Sequence, residues 1–200
     1  MALGRQLRTT ASPEEQGERI LEAGYAEFST VGVRRANMEL IAQRAGVSRS
    51  TLYRRFPSKE ALLSAVISET STLMINQLAE ESQGPSPQET AVRATLAVVR
   101  YCRESALIQQ LISSDPELSV GFFGFSNPGM ESVLDAVTRV GADLLRAAGA
   151  KMPAHDLRLA VELAVRVTTS IVAVPSAWVD IEDDESVRRF ASVFIAPAIW

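Results

Sequence analysis

The stretch VSRSTLYRRFPSKEAL, from Val47 to Leu62, gathers four cations (Arg49, Arg54, Arg55, Lys59), four hydroxyls (Ser48, Ser50, Thr51, Ser58) and the phenol of Tyr53 against one acid, Glu60. These side chains suit a polyanion. An arginine pairs bidentately with O6 and N7 of guanine, worth about 1–3 kcal/mol against a wrong base. Thr, Tyr and Lys are ordinary phosphate partners that set register. On a helix turning about 100° per residue, Leu52 and Phe56 share one face and Ser50 and Arg54 fall nearly opposite. Thr51 and Tyr53 lie on the flanks. Arg49 and Arg55 sit nearer the core side, where long stems still reach outward. A solvated basic helix face is the bland alternative. Against it stand the opposed faces, the turn that precedes the helix, and a further cation, Lys59, after the cap Ser58. That helix start adds backbone N–H groups and a positive dipole for a phosphate.

The elements that position this face are short. Met38, Ile41, Ala42 and Ala45 follow helical spacing and bury one stripe. Gly46 can take the left-handed conformation that ends such a helix, Val47 plugs the turn, and Ser48 caps the next helix. Two short helices joined by a Gly-containing turn make a helix-turn-helix, whose second helix enters a major groove. A longer helix over about 13–31, with Ile20, Leu21, Gly24 and Phe28 on one stripe and Gly32 as its stop, precedes the pair. Ser12-Pro13 and Ser86-Pro87 open capping boxes, and Asp115-Pro116 and Asn127-Pro128 are further cap-then-proline starts. No run alternates with period two for long. The expected fold is all-α: a flexible arm over 1–12, a three-helix helix-turn-helix domain over 13–57, a connecting helix over 58–84, and a helical effector-binding and dimerisation domain over 85–200. Within the last, helices are expected near 88–103, 105–114, 117–123, 129–148, 154–174 and 184–199.

The net charge of −4 hides a split. Residues 1–60 hold ten Lys/Arg and seven Asp/Glu, a net of +3, and the remainder carries −7. Such asymmetry marks a polyanion-binding end joined to something else. With 46% hydrophobic residues the chain can bury a core. The single cysteine, Cys102, fits a reducing cytoplasm. No apolar run is long enough for a signal peptide or a membrane span, so a cytoplasmic protein is expected. One cysteine and one histidine, His155, do not make a dedicated transition-metal site. No phosphate loop or nucleophile elbow is present. The acids of DIEDDE (180–185) lack EF-hand spacing and read as a loop favouring the next helix N-terminus. Neither an enzyme nor a cofactor is expected.

The segment RILEAGYAEFSTVGV…MELIAQRAGVSRSTLYRRFPSKEALLSAV (19–66), with Ala23, Phe28 and Gly32 leading to IAQRAGVS and TLYRRFPSKEALL, resembles the N-terminal region of the TetR family of bacterial transcriptional regulators. The likeness covers about fifty residues; the rest agrees only in layout. It implies an all-helical homodimer that binds a double-stranded DNA operator, usually as a repressor released by a small molecule. It implies phosphate contacts from Asn37, Thr51, Tyr53 and Lys59, and groove contacts from Arg49, Ser50 and Arg54. Arg55 stands where many members carry histidine, and Glu39 where some carry a groove-facing base. Arg34 and Arg35 read as extra backbone contacts or as solvated surface.

The segment 154–174 is apolar on two sides. Leu157, Val161, Ala164, Val165, Thr168, Ile171 and Val172 form one stripe; Leu159, Leu163, Val167, Ser170 and Val174 form the other. Two stripes mean a central helix or one covered by a partner. The dimer reading assigns Val161, Val165, Thr168, Val172, Phe190 and Phe194 to the interface. A small hydrophobic effector is expected in a pocket walled by Tyr101, Cys102, Ile108, Leu111, Phe122, Phe123, Phe125 and Trp178; plain core packing is the rival for each. The functional expectation is a sequence-specific DNA-binding regulator released by that effector. The alternatives are a DNA-binding dimer without an effector, and a helical carrier or enzyme with a vestigial basic module.

Overall fold

The structure is a computed structural model, and it describes residues 12–114, 128–174 and 176–200. Among these every regular element is a helix: α1 (Pro13–Val31), α2 (Met38–Arg44), α3 (Arg49–Arg55), α4 (Lys59–Glu81), α5 (Pro87–Glu104), α6 (Ala106–Ser114), α7 (Pro128–Ala147), α8 (Ala154–Ala173) and α9 (Asp184–Phe190), the last running into a π turn (Ala191–Ile195) and a 3-10 turn (Ala196–Ala198).

Local chemistry sets these boundaries. The Ser12 hydroxyl accepts from the Glu15 amide at 3.1 Å, and the Glu15 carboxylate accepts from the Ser12 amide at 2.7 Å, a reciprocal cap for α1. Asn37, Ser48, Ser58, Ser86 and Asp183 cap α2, α3, α4, α5 and α9 with side-chain oxygens. Gly46 takes φ +67° after α2, and the Val47 amide reaches back to the Ala42 carbonyl at 3.0 Å. Left-handed backbone at this point turns the chain sharply into α3.

One apolar cluster holds Ile20, Phe28, Ile41, Leu52, Leu62 and Val66 from the first four helices, all at most 1% exposed. It continues past the expected boundary, because Leu107 and Leu111 of α6 and Leu134 of α7 belong to it. α6 packs on α1, and α4 packs on both α1 and α7. A Cβ on Gly24 would meet Leu62 Cδ2 and Val66 Cγ2 at 3.3 Å, so the missing side chain lets α1 and α4 approach closely. Leu111, expected in a pocket wall, is therefore core, at 1% exposure. Smaller clusters unite α5 with α7, α8 and the C-terminal turns.

One expectation for the later elements changes. The last helix does not run unbroken to 199: it widens into a π turn at Ala191–Ile195 and tightens at Ala196–Ala198. Pro197 is the reason. It brings no N–H and its ring crowds the carbonyl four residues earlier, so the regular ladder cannot continue. The closing segment is pinned instead, with the Trp200 carbonyl accepting from the Lys151 and Met152 amides at 2.9 and 3.1 Å, and the Ile199 carbonyl from Gln88 Nε2 at 2.7 Å. The helix expected over 117–123 lies outside the described residues.

Because Leu111 belongs to the core of the N-terminal helices, Leu111→Ala should cost about 2–5 kcal/mol. Urea unfolding followed by circular dichroism should show one earlier transition. Two separate transitions, with only one shifted, would contradict a shared core.

Candidate functional site

α3 presents the face that the spacing predicts. Leu52 is fully buried, and Phe56 packs partly buried on the same cluster. Ser50 and Arg54 are exposed on the opposite side, Tyr53 is exposed on one flank and Thr51 is half-buried on the other. Ser48 organises the helix start: its hydroxyl accepts from the Thr51 amide at 3.1 Å and lies 2.9 Å from the hydroxyls of both Ser50 and Thr51.

The remaining cations are held in different ways. Arg49 Nη1 lies 2.6 Å from Glu39 Oε1, and its guanidinium carbon sits 5.5 Å from the centroid of the Tyr53 ring. Both charges are exposed, so the pair is worth under about 1 kcal/mol. Its effect is positional: it joins the start of α2 to the start of α3. Lys59 Nζ donates to the Arg34 carbonyl at 2.9 Å, tying the start of α4 to the loop before α2. Arg35 Nε donates to the Val31 carbonyl at 2.9 Å. Arg55 donates from Nη2 to the Pro13 carbonyl, so its guanidinium braces α1 and is half-buried. Asn37 is exposed while its Oδ1 accepts from the Glu39 and Leu40 amides at 2.8 and 3.4 Å. Ser50, Arg54, Tyr53, Thr51, Arg49 and Asn37 thus sit around one short helix pair.

One organising residue escaped the sequence reading. Glu27 of α1 is 3% exposed, accepts from Arg44 Nη1 at 2.7 Å and from the Asn37 amide at 3.3 Å. A buried carboxylate must be paired, and these two bonds pin both ends of α2 to α1. The signal was an acid inside the apolar stripe of Ile20, Gly24 and Phe28.

A second candidate site lies between α4, α5, α6, α7 and α8. A cavity of about 100 Å³ there is lined by Tyr101, Cys102 and Ile108, with Met74, Val98 and Thr169 among the other walls. Burial keeps the Cys102 thiol protonated, pushing it up to about 12, and raises the Tyr101 phenol as well. Trp178, expected here, is 94% exposed and lines none of it. The loop after α8 carries the indole outward. Phe122, Phe123 and Phe125 lie outside the described residues.

The apolar stripes of α8 also sort themselves. Val161, Thr168 and Val172 are buried within the chain, and Val165 packs half-buried against the same interior. These four of the expected interface residues therefore face inward, filling space against α5 and α7. The other stripe is the exposed one: Leu159, Leu163, Val167 and Val174, beside Val193 and Phe194. Phe194 is 72% exposed and its ring centroid lies 6.0 Å from that of half-buried Phe190. Among the described residues no helix is long and apolar enough to cross a membrane.

Residues 20–66 match the family model described as bacterial regulatory proteins, tetR family. The matched span begins in α1, contains the whole helix pair and ends in α4. Residues 20–66 are thus a helix-turn-helix region of the TetR type. An uncharacterised HTH-type transcriptional regulator of Mycobacterium bovis is 29% identical over 101 residues, 50% of this chain and 52% of that protein. The alignment thus spans about half the length of that relative. Another such regulator, from Mycobacterium tuberculosis, is 27% identical over 93% of this chain and 86% of its own. Among solved structures, a TetR transcriptional regulator from Rhodococcus sp. RHA1 is 29% identical with a TM-score of 0.59, covering 91% of this chain and 95% of that one. The TetR family repressor AlkX from Dietzia sp., implicated in biodegradation of n-alkanes, has a TM-score of 0.69 at 21% identity, over 93% and 94%. The second likeness is one of fold alone. The TetR-type helix pair and the helical C-terminal layout are both present here.

Glu27→Ala should destabilise the protein by about 1–3 kcal/mol by leaving the Asn37 amide and Arg44 without their partner. Arg44→Ala should cost less, since Arg44 is half-exposed. Chemical denaturation midpoints check this ranking; an unchanged midpoint for Glu27→Ala would contradict it.

Proposed function

We propose that the chain is a homodimeric, sequence-specific DNA-binding transcriptional regulator, a repressor released from its operator when a small hydrophobic molecule enters the C-terminal cavity. The observation that carries this reading is α3, which exposes Ser50 and Arg54 while Leu52 is buried behind them. Arg54 reads a base edge, Thr51 and Tyr53 meet phosphates on the flanks, and Lys59 anchors a phosphate at the start of α4. Arg49, held by Glu39 and Tyr53, lines the groove. Arg55, braced on Pro13, has a structural role first.

One short helix reads few bases. A two-fold dimer reads two half-sites about 34–36 Å apart. The exposed stripe of Leu159, Leu163, Val167 and Val174 with Phe194 supports a self-complementary interface, because apolar side chains left in water at helical spacing gain from mutual burial.

α4 supplies the link between cavity and DNA. Its first half places Leu62, Leu63 and Val66 in the core beneath α3, and its second half places Ser71, Met74 and Leu78 in the cavity wall. A ligand that favours a different seating of Met74 and Leu78 favours a different spacing of the two recognition helices. Only its differential affinity for the two states shifts the balance. A second reading, a DNA-binding dimer with no small effector, draws support from the small size of the cavity, about 100 Å³.

Duplexes selected from genomic fragments on the purified protein supply the operator for the test. Arg54→Ala should weaken binding by about 1–3 kcal/mol and relax preference at one position per half-site. Lys59→Ala should weaken all duplexes alike and reduce the slope of log affinity against log salt by about one per subunit. Fluorescence anisotropy at several salt concentrations reads both. Parental binding by both variants would overturn the assignment of this face.

A further inference from the structure

Two small cavities follow one another along α5 and a third lies beside the first against α4; two valines separate them. The first, about 100 Å³, lies between α5, α7 and α8; the second, also about 100 Å³, is the one at Tyr101; the third, about 70 Å³, faces α4. Val98 and Val137 belong to the wall of all three. On α5 the lining runs from Thr90 to Cys102, a rise of about 18 Å along the helix.

Among the described residues the walls carry no charged side chain: apart from Gly141, each lining side chain is aliphatic, a thioether, a hydroxyl, a phenol or a thiol. Several hydroxyls are already engaged: Thr95 donates to the Ala91 carbonyl at 2.9 Å, Thr169 to the Val165 carbonyl at 2.8 Å, and Thr90 accepts from the Gly84 amide at 3.1 Å. An anion moved here would lose its water and meet no cation among the described residues, a cost that keeps charged groups out or neutralises them. Shape restricts the ligand further. A cavity of about 150 Å³ accommodates one benzene ring, so no single compartment here admits fused rings. Only a slender molecule passing Val98 and Val137 buries a ligand-sized surface in all three.

We infer that the effector is an uncharged, unbranched aliphatic chain, threaded along α5 through compartments that Val98 and Val137 divide. This rests on the reading of the cavity as the effector site. It narrows a hydrophobic effector to one charge state and one shape. The methylene chain displaces the two valine side chains, and a neutral polar end, where present, meets the Tyr101 and Ser105 hydroxyls. An alkanol fits; an alkanoate of equal length and a rigid polycycle do not.

The test uses the full chain and three probes: 1-dodecanol, dodecanoate below its micelle concentration at pH 8, and phenanthrene. Binding is measured directly by isothermal titration calorimetry and by the shift in melting temperature, without DNA. Dodecanol should bind and raise the melting temperature. Dodecanoate and phenanthrene should bind at least tenfold more weakly. Val137→Phe, which fills the junction, should reduce dodecanol affinity at least tenfold while the helical circular dichroism is kept. If that variant does not fold, the ranking of the three probes on the parent protein decides alone. Equal or tighter binding of dodecanoate or phenanthrene, or no binding of dodecanol, would overturn the inference. A separate arm adds dodecanol to the protein–operator complex. Binding without release leaves the assignment of the cavity's ligand standing and sinks the reading of that ligand as the effector.

Discussion

Burial of Leu52 fixes the rotation of α3, and the outward face of the molecule follows from it. Seven residues are too few to hold a helix in water unaided, so α3 exists because its apolar face is taken up by the cluster of Phe28, Ile41 and Leu62. Burying one such leucine contributes about 1.5–3 kcal/mol. Once Leu52 is inside, helical periodicity leaves Ser50 and Arg54 no place but solvent. The Ser48 cap and the left-handed Gly46 set where the helix begins, and the Glu39–Arg49 pair sets how its start sits against α2. Chemistry on the surface is thus dictated from behind.

The same core extends beyond the helix pair. Leu107, Leu111 and Leu134 join it from helices far along the chain, so α3 stands on a pedestal made by much of the fold. α4 belongs to both ends: Leu62 and Val66 seat it under α3, and Met74 and Leu78 place it against the cavity at Tyr101. A packed interior is bistable rather than soft. Under the proposed mechanism, a change of seating at Met74 would be carried to α3 through this one helix.

Much of this was legible in the residue order. Cap-then-proline starts, the i, i+4 pairing of Leu52 with Phe56 and the glycine turn are local signals, and local chemistry decided them. Four kinds of feature were not legible. Both stripes of α8 are apolar, and only packing against α5 and α7 reveals that Val161, Thr168 and Val172 point inward while Leu159 and Leu163 point out. Burial of Glu27 depends on Arg44, seventeen residues away. Arg55 looks like its basic neighbours in sequence, yet it is taken up by the Pro13 carbonyl, which only the fold brings near. The break in the last helix was present as Pro197 but was outweighed by the apolar periodicity around it. Trp178 shows the converse: a large aromatic that suggests a pocket in sequence and stands in solvent in the fold.

Arginine-specific labelling with phenylglyoxal, quantified residue by residue with and without a saturating selected duplex, tests the orientation of α3 most directly. The account predicts that Arg54 reacts readily in the free protein and is protected by the duplex, while Arg55 reacts slowly in both states. An Arg54 that is slow in the free protein, or that reacts equally fast with duplex bound, would contradict it.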